Sequence, residues 1–151
     1  MDIGTVLTNK NVSKLLLQII KTINDEQSNN WFIINEEIYQ RNAPYDVTGV
    51  YTPELIEDLF DFDNLLIVSG VFYATQISIT QEEVIERLQR ISAIETTNKE
   101  IIIYVCDNTW IEVYIKDSLL LSSIVKACKG LYTEMEMISL SNCQRNCWYL
   151  A

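Results

Sequence analysis

The chain has no histidine. That removes Ser-His-Asp and Cys-His nucleophile activation, imidazole acid–base catalysis and mixed Cys/His zinc sites. Glycine is nearly as scarce, with Gly4, Gly49, Gly70 and Gly130 the only four among 151 residues. None of them forms the cluster that cradles a phosphate, so P-loop and dinucleotide fingerprints are excluded in their usual forms. Basic residues are few: Lys plus Arg number 11 against 21 Asp plus Glu, a net charge of −10. Nucleic-acid binding rests on cationic side chains that release condensed counterions. With no basic cluster here, neither a nucleic acid nor an anionic membrane surface is an expected partner. A basic protein is compatible with the charge, and so is an acidic surface that serves only solubility.

The four cysteines are Cys106, Cys128, Cys143 and Cys147. The first two stand in apolar company, where a free thiol behaves as a small hydrophobe. With no secretion signal at the start, MDIGTVLTNK, all four are expected reduced and the chain cytoplasmic. Cys143 and Cys147 have the spacing of a redox pair or half a metal site, but no second close pair completes it. The uncharged run 64–81 is too polar for a membrane span. No metal, cofactor or catalytic residue is assigned.

At 151 residues with 48% hydrophobic content, the chain is long enough for one self-sufficient core. The expectation is a single α+β domain over 1–151. Ile3 to Leu7 reads as a strand. Val12, Leu15, Leu16, Ile19, Ile20 and Ile23 make one helical stripe, capped by Asn9 or Asn11. Trp31 to Gln40 reads as a hairpin turning at Asn35-Glu36-Glu37, and Arg41 to Val50 is irregular. Thr52-Pro53-Glu54 starts a short helix over 53–60. Leu65 to Ile79 reads either as one long strand with a kink or bulge at Gly70, ending near Thr75 or Ile77, or as a hairpin turning at Ser69-Gly70; the single strand is preferred. Thr80-Gln81-Glu82-Glu83 is a capping box, whose helix turns Val84, Ile85, Leu88 and Ile91 inward and Glu82, Glu86, Arg87 and Arg90 outward.

The most legible stretch is 100–139. Ile101 to Cys106 and Thr109 to Lys116 are β-rich runs joined by Asp107-Asn108. A helix capped by Asp117 or Ser118 and stopped by Gly130 follows, and then a strand over 131–138. From Leu65 onward the order is β-α-β-β-α-β, the pattern of ferredoxin-like sandwiches. Residues 3–74 can be read the same way, so two such units, 1–75 and 65–139, form a possible tandem on a mixed or antiparallel sheet.

A two-residue loop at Asp107-Asn108 pairs Val105 with Trp110 and Ile103 with Glu112. Side chains alternate along strands, so Ile102, Tyr104, Cys106, Ile111, Val113 and Ile115 would share one face. Ile101, Ile103, Val105, Trp110, Glu112, Tyr114 and Lys116 would share the other. Both faces are apolar, so something covers the second. The candidates are the N-terminal helix, the C-terminal Trp148-Tyr149-Leu150, or a partner meeting Trp110, Tyr114, Glu112, Val105 and Ile103, residue types that carry energy at interfaces.

Carboxylate pairs are plentiful (Glu36-Glu37, Glu82-Glu83, Asp61 with Asp63, Glu134 with Glu136), but acid–base work needs two of them converging in different environments. Asp58, Asp61, Asp63 and Asn64 lack the glycine and closing glutamate of a calcium loop.

The run Asp107-x-x-Trp110-Ile111-Glu112-Val113-Tyr114-Ile115-Lys116-Asp117 resembles a segment of a domain-of-unknown-function family, small proteins of spore-forming Gram-positive bacteria. Ile3-Gly4, Trp31-Phe32-Ile33, Glu36-Glu37 and Ile38-Tyr39 are similar too. The resemblance implies the same order of elements and carries no activity, cofactor or site residue. It fails at Asn142-Cys143-Gln144-Arg145-Asn146-Cys147, where those proteins close with an Asn-Asp-rich turn and an arginine. The expectation for function is a non-enzymatic protein acting through protein–protein contact, with a basic partner or as a homodimer. One alternative is an immunity-type protein that neutralises a basic toxin. Another is a small-molecule binder or enzyme using carboxylate, Tyr and Cys groups near residues 41–51.

Overall fold

The computed structural model describes residues 1–10, 12–61, 65–143, 145 and 148. Among these, four α-helices accompany one eight-stranded, wholly antiparallel sheet. The elements are β1 (Asp2–Thr8), α1 (Ser13–Glu26), β2 (Asn30–Gln40), β3 (Ala43–Pro44), β4 (Gly49–Tyr51), α2 (Pro53–Phe60), β5 (Leu65–Thr75), α3 (Gln81–Arg90), β6 (Glu100–Cys106), β7 (Trp110–Tyr114), α4 (Ser118–Ala127) and β8 (Glu134–Ser139). The strand order is β3-β2-β5-β6-β7-β1-β8, with β4 also on β2.

That order differs from the ferredoxin-like expectation. β5 and β6, joined through α3, are direct antiparallel neighbours, so no strand splits a parallel β-α-β unit. β1 lies between β7 and β8, so residues 1–75 and 65–139 do not build separate sheets. Gly4 permits this placement of β1: a Cβ there would stand 2.2 Å from the Val113 carbonyl oxygen.

Both faces of the sheet are covered. Beneath α1, α2 and α4 lies an aliphatic layer in which the predicted α1 stripe meets Ile33, Ile67, Ile101, Ile103, Val105, Ile111 and Val113. The opposite face holds Phe32, Val71, Tyr73, Ile102, Tyr104 and Tyr114 under Val84 and Leu88 of α3, with Trp148. The Thr80 capping box and the Thr52 and Asp117 caps form as the sequence indicates. The start of α1 differs. Its N-cap is Val12, without a side-chain bond, while the Asn9 amide reaches the Leu131 carbonyl; Asn11 lies outside the described residues.

Two turns also differ from expectation. Asn30–Gln40 is one strand rather than a hairpin: Asn35 takes φ 50° and the ladder to β5 slips between Ile34 and Ile38. This is a bulge, and the chain reverses instead at Arg41-Asn42, with φ 52° and 66°.

In the β6–β7 hairpin, Asp107 and Asn108 both take φ 54° and the Thr109 amide bonds to the Cys106 carbonyl, the tight turn the sequence indicates. Thr109 is nevertheless an extra residue, and the ladder begins at Cys106 opposite Trp110, followed by Val105 with Ile111, Tyr104 with Glu112 and Ile103 with Val113. A one-residue slip exchanges the faces of one strand relative to the other. Ile101, Ile103 and Val105 therefore share the helix-covered layer with Ile111, Val113 and Ile115.

Candidate functional site

Of the five residues expected to form one surface, three remain together. Trp110, Glu112 and Tyr114 lie on the α3 face, while Ile103 and Val105 are fully buried on the other, beneath the helices. Trp110 is 39% exposed, whereas Glu112 and Tyr114 are buried. Within that trio Glu112 is the hub. It accepts from the Tyr114 hydroxyl at 2.5 Å, the Trp110 indole N–H at 3.2 Å, and Arg145 Nε and Nη2 at 3.1 and 2.7 Å. The Arg145 guanidinium also stacks 4.0 Å over the Tyr104 ring, and Trp148 meets Tyr114 edge to face at 5.2 Å. Glu112 and Tyr114 are thus covered from within the chain, by Arg145 and Trp148, while Trp110 stays partly open. Tyr149 and Leu150, named with Trp148, lie outside the described residues.

A second cluster of the same chemistry sits on the same face. Glu100 at the start of β6 accepts from the Tyr73 hydroxyl at 2.5 Å, from Arg87 Nε and Nη2 at 2.8 and 2.5 Å, and from the Thr97 amide at 2.8 Å. Burial alone would raise the Glu100 carboxyl, but the Arg87, Tyr73 and Thr97 bonds outweigh it and hold the group below the ordinary carboxylate value. Burial and the adjoining carboxylate push the Tyr73 phenol well above its ordinary value, and the same causes act on Tyr114 beside Glu112. Buried carboxylates on which several donors converge are spent on structure; each has its charge matched by a side-on arginine.

The loop over 41–51 brings one carboxylate pair together. Glu36, at the β2 bulge, accepts from the Val47 amide and the Thr48 hydroxyl, and Asp46 accepts from the Thr48 amide. Burial raises the Glu36 carboxyl despite these bonds, and the Thr48 bonds lower that of Asp46. The cavity beside this loop, about 640 Å³, is lined by Tyr39, Arg41, Asn42 and Leu66 and includes neither carboxylate. Elsewhere Glu37 accepts from the Tyr39 hydroxyl and Glu83 closes its capping box. Asp63, Asn64 and Cys147 lie outside the described residues. Among the described residues no three Cys, Asp or Glu side chains gather as a metal ion would require.

Pairing across the sheet places Thr8 and then Glu134 beside Trp110, and Val6 and then Glu136 beside Glu112. Directly opposed residues share a face, so the exposed carboxylates Glu134 and Glu136 stand on the Trp110 face, with β1 between them and β7. The β8 edge beyond them is partly closed, since Ser139 N bonds to Asn142 Oδ1 and the Asn142 amide reaches the Met137 carbonyl.

Arg87 and Arg145 were not legible as site residues. Arg87 falls on the polar side of an amphipathic helix, and Arg145 in a tail with no period. The signal that could have found Arg145 is Glu112, an acid in the middle of a strand apolar on both sides. No helix among the described residues is long and apolar enough to cross a membrane. No protein-family model matches the chain, nor does any curated protein or solved structure.

Proposed function

We propose that this chain is a binding protein without catalysis of its own, and that its partner is a basic polypeptide that meets Trp110, Glu134 and Glu136. The observation that carries this is the fixed posture of Trp110. Its indole N–H is bonded to Glu112, itself held by Arg145 and Tyr114, so a half-exposed aromatic is pre-organised on the sheet face that also carries the exposed acids Glu134 and Glu136, one strand further on. Ring area that needs no further ordering on binding favours affinity. Charge favours a basic partner over a second copy, since two chains of net charge −10 repel and Glu134 and Glu136 would meet the like-charged surface of the copy. Neutralisation of a basic toxin is one form this could take.

Trp31 and Trp148 are fully buried, so an externally quenched tryptophan signal belongs to Trp110. Titration with a lysine- and arginine-rich polypeptide, protamine for instance, is expected to shift and protect that signal at low salt and to lose the effect near ~0.5 M salt. Glu134→Lys with Glu136→Lys should weaken binding about tenfold or more. Glu54→Lys with Asp58→Lys, on α2 across the sheet, should change it little. Equal losses in both pairs, or no protection of Trp110, would refute the site.

A further inference from the structure

We propose that the cavity bordered by Arg87 is a binding site for a small organic carboxylate bearing a short apolar chain. This site is separate from the Trp110 surface. The cavity, about 460 Å³, is lined by Tyr73, Thr75, Ile77, Ile79, Arg87 and the 97–100 segment. Its volume lies within the ordinary range for small-ligand pockets.

Arg87 meets Glu100 through its Nε–Nη2 edge, which leaves the Nη1 hydrogens for another acceptor. Glu100 cannot compete for an incoming cation, because four donors already occupy its oxygens and its side chain is 3% exposed. The Arg87 side chain is 30% exposed, so the guanidinium is held in place by Glu100 and still reaches solvent. Such a fixed arginine is pre-organised for a carboxylate, whose two oxygens match its planar donors.

Lys99 on the rim is exposed and in no ion pair among the described residues. Among the residues that line the cavity, Arg87 and Lys99 outnumber Glu100 by one charge, while Glu95, outside the lining, feels the Arg87 charge from nearby. That surplus suits a monoanion. The apolar requirement comes from Ile77 and Ile79, which flank the same cavity; Ile77 is 48% exposed and would be covered by a short alkyl or aryl chain.

The test uses the full chain labelled with ¹⁵N and titrated with hexanoate, hexylammonium and inorganic phosphate. Hexanoate is expected to shift the amides of Ile77, Thr97, Asn98 and Lys99 and the Arg87 Nε saturably, and hexylammonium to leave them in place. Lys99→Gln and Ile77→Asp alter exposed side chains and should leave distant amides unmoved, while each weakens hexanoate about tenfold. Non-saturating shifts, an equal response to hexylammonium, or unchanged affinity in both variants would overturn the proposal. Phosphate binding as tightly as hexanoate would overturn the apolar part of the assignment.

Discussion

Glu100→Gln removes one charge and almost no volume, and it tests the most saturated group in the molecule. In the wild type the carboxylate receives four donors, from Tyr73, Arg87 twice and Thr97. A glutamine oxygen can accept two of them, and its amide presents hydrogens to the others. Leaving buried donors unmatched costs about 1–3 kcal/mol each. With the amide in the Oε2 place the Tyr73 hydroxyl, only 3% exposed, loses its acceptor, and with the amide in the Oε1 place the Thr97 N–H loses its own. Arg87 is 30% exposed and partly rehydrates, so its share is smaller. The sum is about 3 kcal/mol, at the low end for breaking a buried pair. In a chain of 151 residues that is a fall of about 6–12 °C in Tm.

The pH dependence supplies a second readout. The Glu100 carboxyl is held below its ordinary value in the folded state. Its contribution is therefore complete above the unfolded value near ~4.3 and is lost as pH falls through the folded value. Urea unfolding followed by circular dichroism should show the wild type and Glu100→Gln far apart near about pH 7 and converging in acid. A loss below about 1 kcal/mol at neutral pH, or one that stays constant into acid, would refute the reasoning. Either result would mean that Arg87 and Tyr73 find solvent or other partners at little cost.

Gly4→Ala would place a Cβ 2.2 Å from the Val113 carbonyl oxygen, forcing β1 away from β7 inside the sheet; a loss of about 2 kcal/mol or more is expected in a thermal melt. Burial and neighbouring carboxylates raise the Tyr73 and Tyr114 phenols, so folding favours their neutral form. The associated stability holds below the ordinary tyrosine value of about 10 and is lost as pH rises past it; spectrophotometric titration at 295 nm should show these two ionising only with unfolding. Burial pushes the Cys128 thiol up to about 12 and leaves it inaccessible. Iodoacetamide near pH ~8 should spare it in the folded protein and label it in denaturant, as read by mass spectrometry.

What the sequence made legible was whatever a single segment decides. The α1 stripe, the Thr52, Thr80 and Asp117 caps, the long β5 and the left-handed Asp107-Asn108 turn all rest on residues within one or two helical turns or one hairpin. Strand order does not. Nothing local in Asp2–Thr8 says that it pairs with residues more than a hundred positions away on both edges. Only the glycine at position 4 carries a trace of that crowding. The helices likewise revealed their buried stripes but not which face of the sheet they cover. The bulge at Asn35 was hidden because Asn-Glu-Glu has the composition of a turn; its left-handed asparagine is accommodated instead by a local slip of the β2–β5 ladder.

The hairpin register is the step on which the candidate surface depends, and charge burial explains it. In a two-residue pairing Glu112 would lie with Ile103 and Val105 in the predominantly apolar layer beneath the helices. An unmatched carboxylate there would cost several kcal/mol or give up its charge. Inserting Thr109 costs one unpaired residue at a turn and moves Glu112 to the side of Tyr104 and Arg145. The same shift gathers Ile111, Val113 and Ile115 into the aliphatic layer. Side-chain burial and ion pairing therefore agree on one register, against the shorter loop that turn chemistry alone would choose. It follows that Arg145, in the least periodic part of the chain, is needed by a residue 33 positions earlier. The exposed posture of Trp110 is a consequence of how Glu112 is neutralised.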